Sequence, residues 1–357
     1  MDLASRALEA VRRTTFTTRF LYDDDGRPMS LSGVPPKDRP AAARQMAARL
    51  GRPGRGGGAG PLAQELNRIE DERRRRALLL VGSYREADVV AETLHGIERR
   101  HGRVRVLIAD DAEPGPGSEE RAETVRRGDL AMFAEDEDAE VLVAPLMAIE
   151  RGHNILNAQR NAAFGVALFL ARPHPRPDDL SLAVFAVNDW VSRFIRDLRR
   201  VDGRTGPATF GELVAKAGDL DQAGLEFRHQ ARKEWRRLLS RRYIYSHLED
   251  WERRSFAWDQ LVTIWQVIGR LVRGGVPARV VFVDAKFAPG TAAALRPGET
   301  VTAPARDGLL ADLHKILAPY FDDHADPAWF DDPADPALVR MLYAPMYQAL
   351  SGLTHRT

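Results

Sequence analysis

The residues best suited to chemistry lie in Thr263–Arg273, TIWQVIGRLVR. Gln266, Gly269, Arg270 and Arg273 fit Q-x-x-G-R-x-x-R. At about 100° per residue on a helix, Gln266, Arg270 and Arg273 fall on one narrow arc. Leu261, Ile264, Ile268, Leu271 and Val272 fall on the opposite side. Such a helix buries one face and aims two guanidiniums and an amide from the other. A guanidinium is planar, always charged, and able to bind two phosphate oxygens at once. The chemistry is therefore phosphate recognition. An amphipathic helix whose arginines simply meet water has the same pattern.

A second group suits a polyanion. Arg228, Arg232, Lys233, Arg236, Arg237, Arg241 and Arg242 cluster with Trp235, Tyr243 and Tyr245. Basic side chains interleaved with aromatics fit a nucleic-acid backbone whose bases can stack. A solvated helix face with its aromatics in a core fits equally well. Arg172, His174 and Arg176, in a loop with three prolines between residues 173 and 177, could also hold phosphate, or simply meet water. Asp23, Asp24 and Asp25 before Gly26 read as a turn rather than a metal site. GRPGRGGGAG over residues 51–60 contains no G-x-x-x-x-G-K-[ST] and reads as a flexible break. Asp110 and Asp111 follow a strand, but no phosphate loop precedes them.

Several elements must position these residues. Gly274 and Gly275 stop the arginine-bearing helix, and Arg279–Phe287 begins as a buried strand rich in Val and Phe. Other strands are expected near 77–81, 104–109, 140–144 and 164–170. Residues 119–138 read as a helix and an acidic turn, and 178–262 as almost wholly helical. The 357 residues suffice for one large domain or two ordinary ones, and an apolar fraction of 44% can support a core. With no cysteine, disulfides and thiolate metal sites are excluded. No apolar run reaches membrane-span length and no signal-peptide pattern opens the chain, so a soluble cytoplasmic protein without a membrane partner is expected. Five lysines leave 47 arginines among the 52 basic residues. That bias fits bidentate phosphate contacts, and also a GC-rich genome.

The motifs resemble those of superfamily 2 DEAD/DEAH-type helicases, in their C-terminal half. QVIGRLVR resembles motif VI, whose arginines act as fingers on ATP phosphates in the cleft between two RecA-like domains. LLLVGSYREA is similar to motif IV, which opens the second such domain; there Ser83 and Tyr84 would approach nucleic acid. VLVAPLMAIERGHNI resembles motif V, matched at Arg151, Gly152 and Asn154. The motif's usual threonine or serine near Ala144 is absent, and Asn154 stands where many members have aspartate.

The resemblance covers about residues 75–290. It implies a RecA-like, P-loop NTPase-type α/β fold: a mainly parallel sheet with helices on both faces, plus a helical insertion at 178–262. Residues 1–75 would be a helical connector with a Gly-rich linker, and 291–357 a helical cap. Gln266, Gly269, Gly152 and Asn154 would line the ATP cleft, with Arg270 and Arg273 catalytic. Ser83, Tyr84, Arg151, Arg232, Arg236 and Arg241 would contact DNA or RNA. ATP and Mg2+ would be held mainly by a first RecA-like domain, since no Walker A loop or D-E-x-[HD] box occurs in these residues. The expectation is half a motor, inactive alone and completed by a chain carrying that domain. The alternative is a non-catalytic nucleic-acid-binding or assembly protein that keeps the fold.

Overall fold

The computed structural model describes residues 3–112, 121–149, 154–173, 181–195, 209–240, 250–296, 298–325 and 335–357. The chain forms two compact units: Met1–Pro173 with Asp250–Thr357, and His174–Glu249. The first is α/β. Its nine strands are β1 (Thr15–Arg19), β2 (Ala77–Val81), β3 (Val104–Ile108), β4 (Glu123–Arg126), β5 (Val141–Pro145), β6 (Val166–Phe169), β7 (Arg279–Phe282), β8 (Thr300–Thr302) and β9 (Thr354–Arg356). They lie in the order β4-β3-β5-β2-β6-β7-β1-β9-β8. Every pairing is parallel except β8 with β9.

The central strands are short runs of Val, Leu and Ala because both faces are covered. One face buries Leu79, Val81, Val106, Val143 and Leu168 under α2 (Arg39–Gly51), α3 (Pro61–Asn67) and α4 (Tyr84–His95). Residues of opposite parity, such as Leu78, Leu80, Leu142, Phe169 and Phe282, are equally buried. That second face is covered by α9 (Asp250–Leu271) and α11 (Gly308–Phe321), which pack on each other; α12 (Asp335–Ser351) packs on α11. The N-terminal helix α1 (Leu3–Arg12) joins α9 through Ala10, Val11 and Val272.

The smaller unit is helical. Helices α6 (Ser181–Ile195), α7 (Phe210–Lys216) and α8 (Leu220–Ser240) enclose their own core of Trp190, Phe194, Leu213 and Ala223. No helix among the described residues is long and apolar enough to cross a membrane.

Four strands lie outside the five expected. The expected helix over 119–138 is instead the edge strand β4 and a 3-10 segment, Arg127–Ala134. β4 pairs on one side only, with β3, and Arg105 of β3 binds Glu123 at 3.0 Å, so it needs no apolar run. Residues 1–75 are not a connector: β1 sits between β7 and β9, and α2 and α3 are part of the core. β1 reads TFTTR and escapes notice because polar groups hold it. Arg19 donates to Glu65 at 2.9 Å, and Glu65 also accepts from Arg279 at 2.9 Å. The tail is more than a cap, since β9 extends the sheet beside β1. The inserted unit spans 174–249 rather than 178–262, and α9 belongs to the sheet.

His355 of β9 is fully buried. Its Nε2 lies 3.0 Å from the Ala303 carbonyl, which can only accept, and its Nδ1 lies 3.0 Å from the Thr18 hydroxyl. In the neutral ring the proton is therefore on Nε2, and Nδ1 accepts from the Thr18 hydroxyl. Burial lowers its pKa, opposed by the hydrogen bond to Ala303. Because the folded value is below the unfolded one, His355 contributes full stability above about pH 6.5. That contribution is lost as pH falls through the folded value. Urea midpoints measured from pH 8 to pH 5 should fall for the wild type, and fall less steeply for His355→Asn.

Candidate functional site

The C-terminal half of α9 carries Gln266, Gly269 and Arg270, and Arg273 lies in the turn just past its end at Leu271. Its inner face, including Leu261, Ile264, Val267, Ile268 and Leu271, is buried. Gln266, Gly269 and Arg273 are exposed and Arg270 is half-buried. Gly269 has an open environment: a Cβ there would meet nothing within 4 Å. A glycine within a helix is destabilising relative to alanine, and no contact among the described residues requires this one.

After α9 the chain turns through Gly274 and Gly275, whose φ angles of 83° and 76° favour glycine. A Cβ on Gly274 would collide with Asn161. This close approach joins α9 to the loop that follows Asn154. The Ala162 amide donates to the Arg273 carbonyl at 2.9 Å, and Ala163 donates to Ile155 at 2.9 Å. Inside the loop, Asn157 Oδ1 accepts from the amides of Gln159 and Asn161, at 3.1 and 3.0 Å. Arg160 takes a left-handed conformation, with φ 62°.

Arg74 fixes the arrangement. It lies three residues before β2 and is 4% exposed. Its Nε donates to Ala162 O at 2.8 Å and its Nη1 to Pro277 O at 2.8 Å. Its Nη2 donates to Phe164 O at 3.0 Å and Leu271 O at 3.1 Å. One guanidinium thus holds the end of α9, the approach to β6 and the approach to β7. Burial lowers its pKa, partly offset by Asp71. Its charge suits the carbonyl end of α9. The stretch Pro61–Arg76 reads as one charged helix in sequence, which hides Arg74. In the structure α3 ends at Asn67, and Arg74 closes a 3-10 turn, Glu72–Arg74, with its side chain inward.

The expected site residues separate into three places. Asn154, exposed, opens the loop held to α9, so it shares a side with Arg270 and Arg273. Ser83 and Tyr84 follow the carboxyl end of β2, whereas Arg273 precedes the amino end of β7. Ala77 of β2 pairs with Val166 of β6, which pairs with Arg279 of β7. The two sets therefore occupy opposite edges of the sheet, about 13 Å of strand apart. At the Ser83 edge the helix end serves itself. Ser83 Oγ accepts from the Glu86 amide at 3.2 Å, and Glu86 accepts from the Gly82 amide at 2.8 Å.

Arg232 and Arg236 are exposed on α8, in the smaller unit. Of the three aromatics expected beside them, Trp235 alone lies among the described residues. Phe227 on α8 packs inward against Trp190, Phe194 and Phe210, and Trp235 is half-buried. Arg151, Gly152, Arg241, Tyr243 and Tyr245 lie outside the described residues. Asp23–Asp25 form a turn in which Asp23 accepts from the amides of Asp25 and Arg27. With α2 this turn lines a cleft of about 430 Å3 that contains none of the candidate residues and is crossed by the Arg49–Asp24 ion pair. Among the described residues no group of His, Asp and Glu is arranged to hold a metal ion. The chain matches no protein-family model and no curated protein sequence.

Arg74→Met should strand four buried carbonyls and cost about 3 kcal/mol or more in urea unfolding, with Arg74→Lys recovering only part. Gly269→Ala should do the reverse and stabilise the fold by about 0.5–1 kcal/mol.

Proposed function

We propose that the larger unit is the second RecA-like half of a superfamily 2 helicase. It supplies arginines to a nucleotide cleft completed by another domain, and contacts nucleic acid. The observation that carries this reading is the end of α9. Gln266 and Gly269 are exposed on its outer side, Arg270 is half-buried, and Arg273 is exposed in the turn just past it, where Arg74 and Gly274 lock the chain to the loop after Asn154. Counted from β2, the strand order is 3-2-4-1-5-6. A dinucleotide-binding fold would read 3-2-1-4-5-6, so the order argues against an unrelated Rossmann enzyme.

The residues present fit part of a Mg–ATP site. Arg270 and Arg273 can neutralise charge on phosphate oxygens, and Gln266 can orient a ligand through its amide. Nothing among the described residues fits the metal, whose ligands belong to the completing domain. When bound, Mg–ATP supplies the phosphoryl group and the charge these arginines meet. Their contribution is electrostatic: fixed guanidiniums placed where negative charge grows during transfer. Arg74 sets their position through the backbone of α9. Nucleic acid would be met at the opposite edge, at Ser83 and Tyr84, and by the smaller unit. The second reading is a binding or assembly protein that uses the same surfaces without turnover.

ATP hydrolysis by the purified chain, with and without single-stranded nucleic acid, separates these readings. No turnover is expected from the chain alone. Adding a domain with a phosphate loop should restore it, and Arg273→Ala should then lower kcat by about 10³-fold. Gly269→Ala should also lower the restored rate while raising stability. Failure of every phosphate-loop partner to restore turnover would leave the binding-protein reading. Turnover by the chain alone that vanishes in Arg270→Ala would overturn the half-motor reading.

A further inference from the structure

We propose that the outer face of α8 is a docking surface for the sugar–phosphate backbone of a nucleic acid, read by charge rather than by base. This rests on the nucleic-acid part of the reading above and assigns it a surface and a mode.

Helical spacing places Leu225, Arg228, His229, Arg232, Lys233 and Arg236 on one outward arc of about 140°. All six are exposed. No carboxylate falls within that arc from Leu225 to Arg236. Glu226 lies beyond its margin, and Glu234 is buried on the inner side. Among the described residues, none of the five basic side chains makes an ion pair.

This concentration opposes the helix that carries it. Arg228 with Arg232, and Arg232 with Arg236, are four residues apart, where like charges repel. The helix dipole compensates only within the last turn, and Arg228 lies twelve residues before the end of α8. A polyanion relieves the repulsion along the whole row. Arg228, Arg232 and Arg236 rise about 6 Å from one to the next, so a single strand can run past all three.

The mode follows from where the aromatics went. Phe227 lies 5.8 Å from both Trp190, on which it stacks, and Phe194, to which it is tilted, on the inner side of α8. From Leu225 to Arg236 the basic face carries no Phe, Tyr or Trp, its one ring is the His229 imidazole, and Trp235, at its flank, is half-buried. Contacts to phosphate carry no sequence information, so binding through this face is indifferent to base identity and to the presence of bases.

The test is fluorescence anisotropy of the full chain with a labelled oligonucleotide of about 20 residues, an abasic strand of equal length, and anionic phospholipid vesicles as the competing polyanion. The proteins compared are the wild type, Arg228→Gln/Arg232→Gln/Arg236→Gln, and the matching triple Lys variant. The expected result is binding of intact and abasic strands within about twofold. The Gln variant should lose about tenfold, and its log Kd should depend on log salt with a slope lower by about 2. The Lys variant should keep the wild-type slope. Wild-type binding that the Gln variant retains would remove α8 from the surface and leave nucleic-acid binding standing. Loss of binding to the abasic strand would overturn the backbone mode. No wild-type binding to either strand, with or without binding to vesicles, would overturn both this proposal and the nucleic-acid reading beneath it.

Discussion

A guanidinium with no carboxylate hydrogen-bonded to it holds the larger unit in register. Arg74 offers five N–H donors in a fixed plane, and four hydrogen bonds from it reach carbonyls of Ala162, Pro277, Phe164 and Leu271. Those carbonyls belong to three segments far apart in sequence: the loop before β6, the lead into β7 and the last turn of α9. Each carbonyl is an acceptor that its own secondary structure leaves unserved. Burying a charge is costly unless its donors are satisfied. Here the cost and the unmet acceptors offset one another, which makes the site specific for arginine.

The same logic recurs around the sheet. Glu65 is 1% exposed and receives Arg19 from β1 and Arg279 from β7, tying α3 beneath two neighbouring strands. At the carboxyl edge Asp284 is fully buried, and accepts from the amides of Leu31, Ser32 and Lys286 at 3.0, 2.8 and 2.8 Å. Burial raises its pKa, while those hydrogen bonds pull it down. Buried ionic groups are weak evidence of net stability, because desolvation takes back most of what the contacts give. What these groups provide is placement. They bring residues 1–75 into the sheet, where hydrophobic patterning alone would leave them outside.

Function in the proposed reading depends on that placement. Parallel strands put the Ser83 turn and the arginines of α9 on opposite edges, so one rigid layer separates two ligand surfaces. The arginine edge is accessible, lined by Gly269, and braced from behind by Arg74 and the Gly274–Asn161 contact. The inserted helical unit brings a third surface, an unpaired basic face over a self-contained aromatic core. A motor half and a binding protein would share all three. They differ in the domain that meets α9.

Sequence alone determined a good deal. Runs such as ALLLV, VRVLI and RVVF announced buried parallel strands, because a strand covered on both faces must be apolar throughout. Periodicity placed Gln266 on the open side of a helix and Arg270 at its margin, but the helix ends at Leu271, so Arg273 lies in the turn before Gly274–Gly275. It did not disclose β1 or β9, whose Thr18 and His355 satisfy each other across the sheet, nor β4, an edge strand held by ions. It did not separate Arg74 from the neighbouring solvated arginines, or show that Phe227 turns inward while Arg232 turns out. Local patterning reports how much of each residue is buried on average. A buried polar residue is decided by its partner, and the partners of Arg74, Glu65, Asp284 and His355 lie so far along the chain that only the closed sheet brings them within reach.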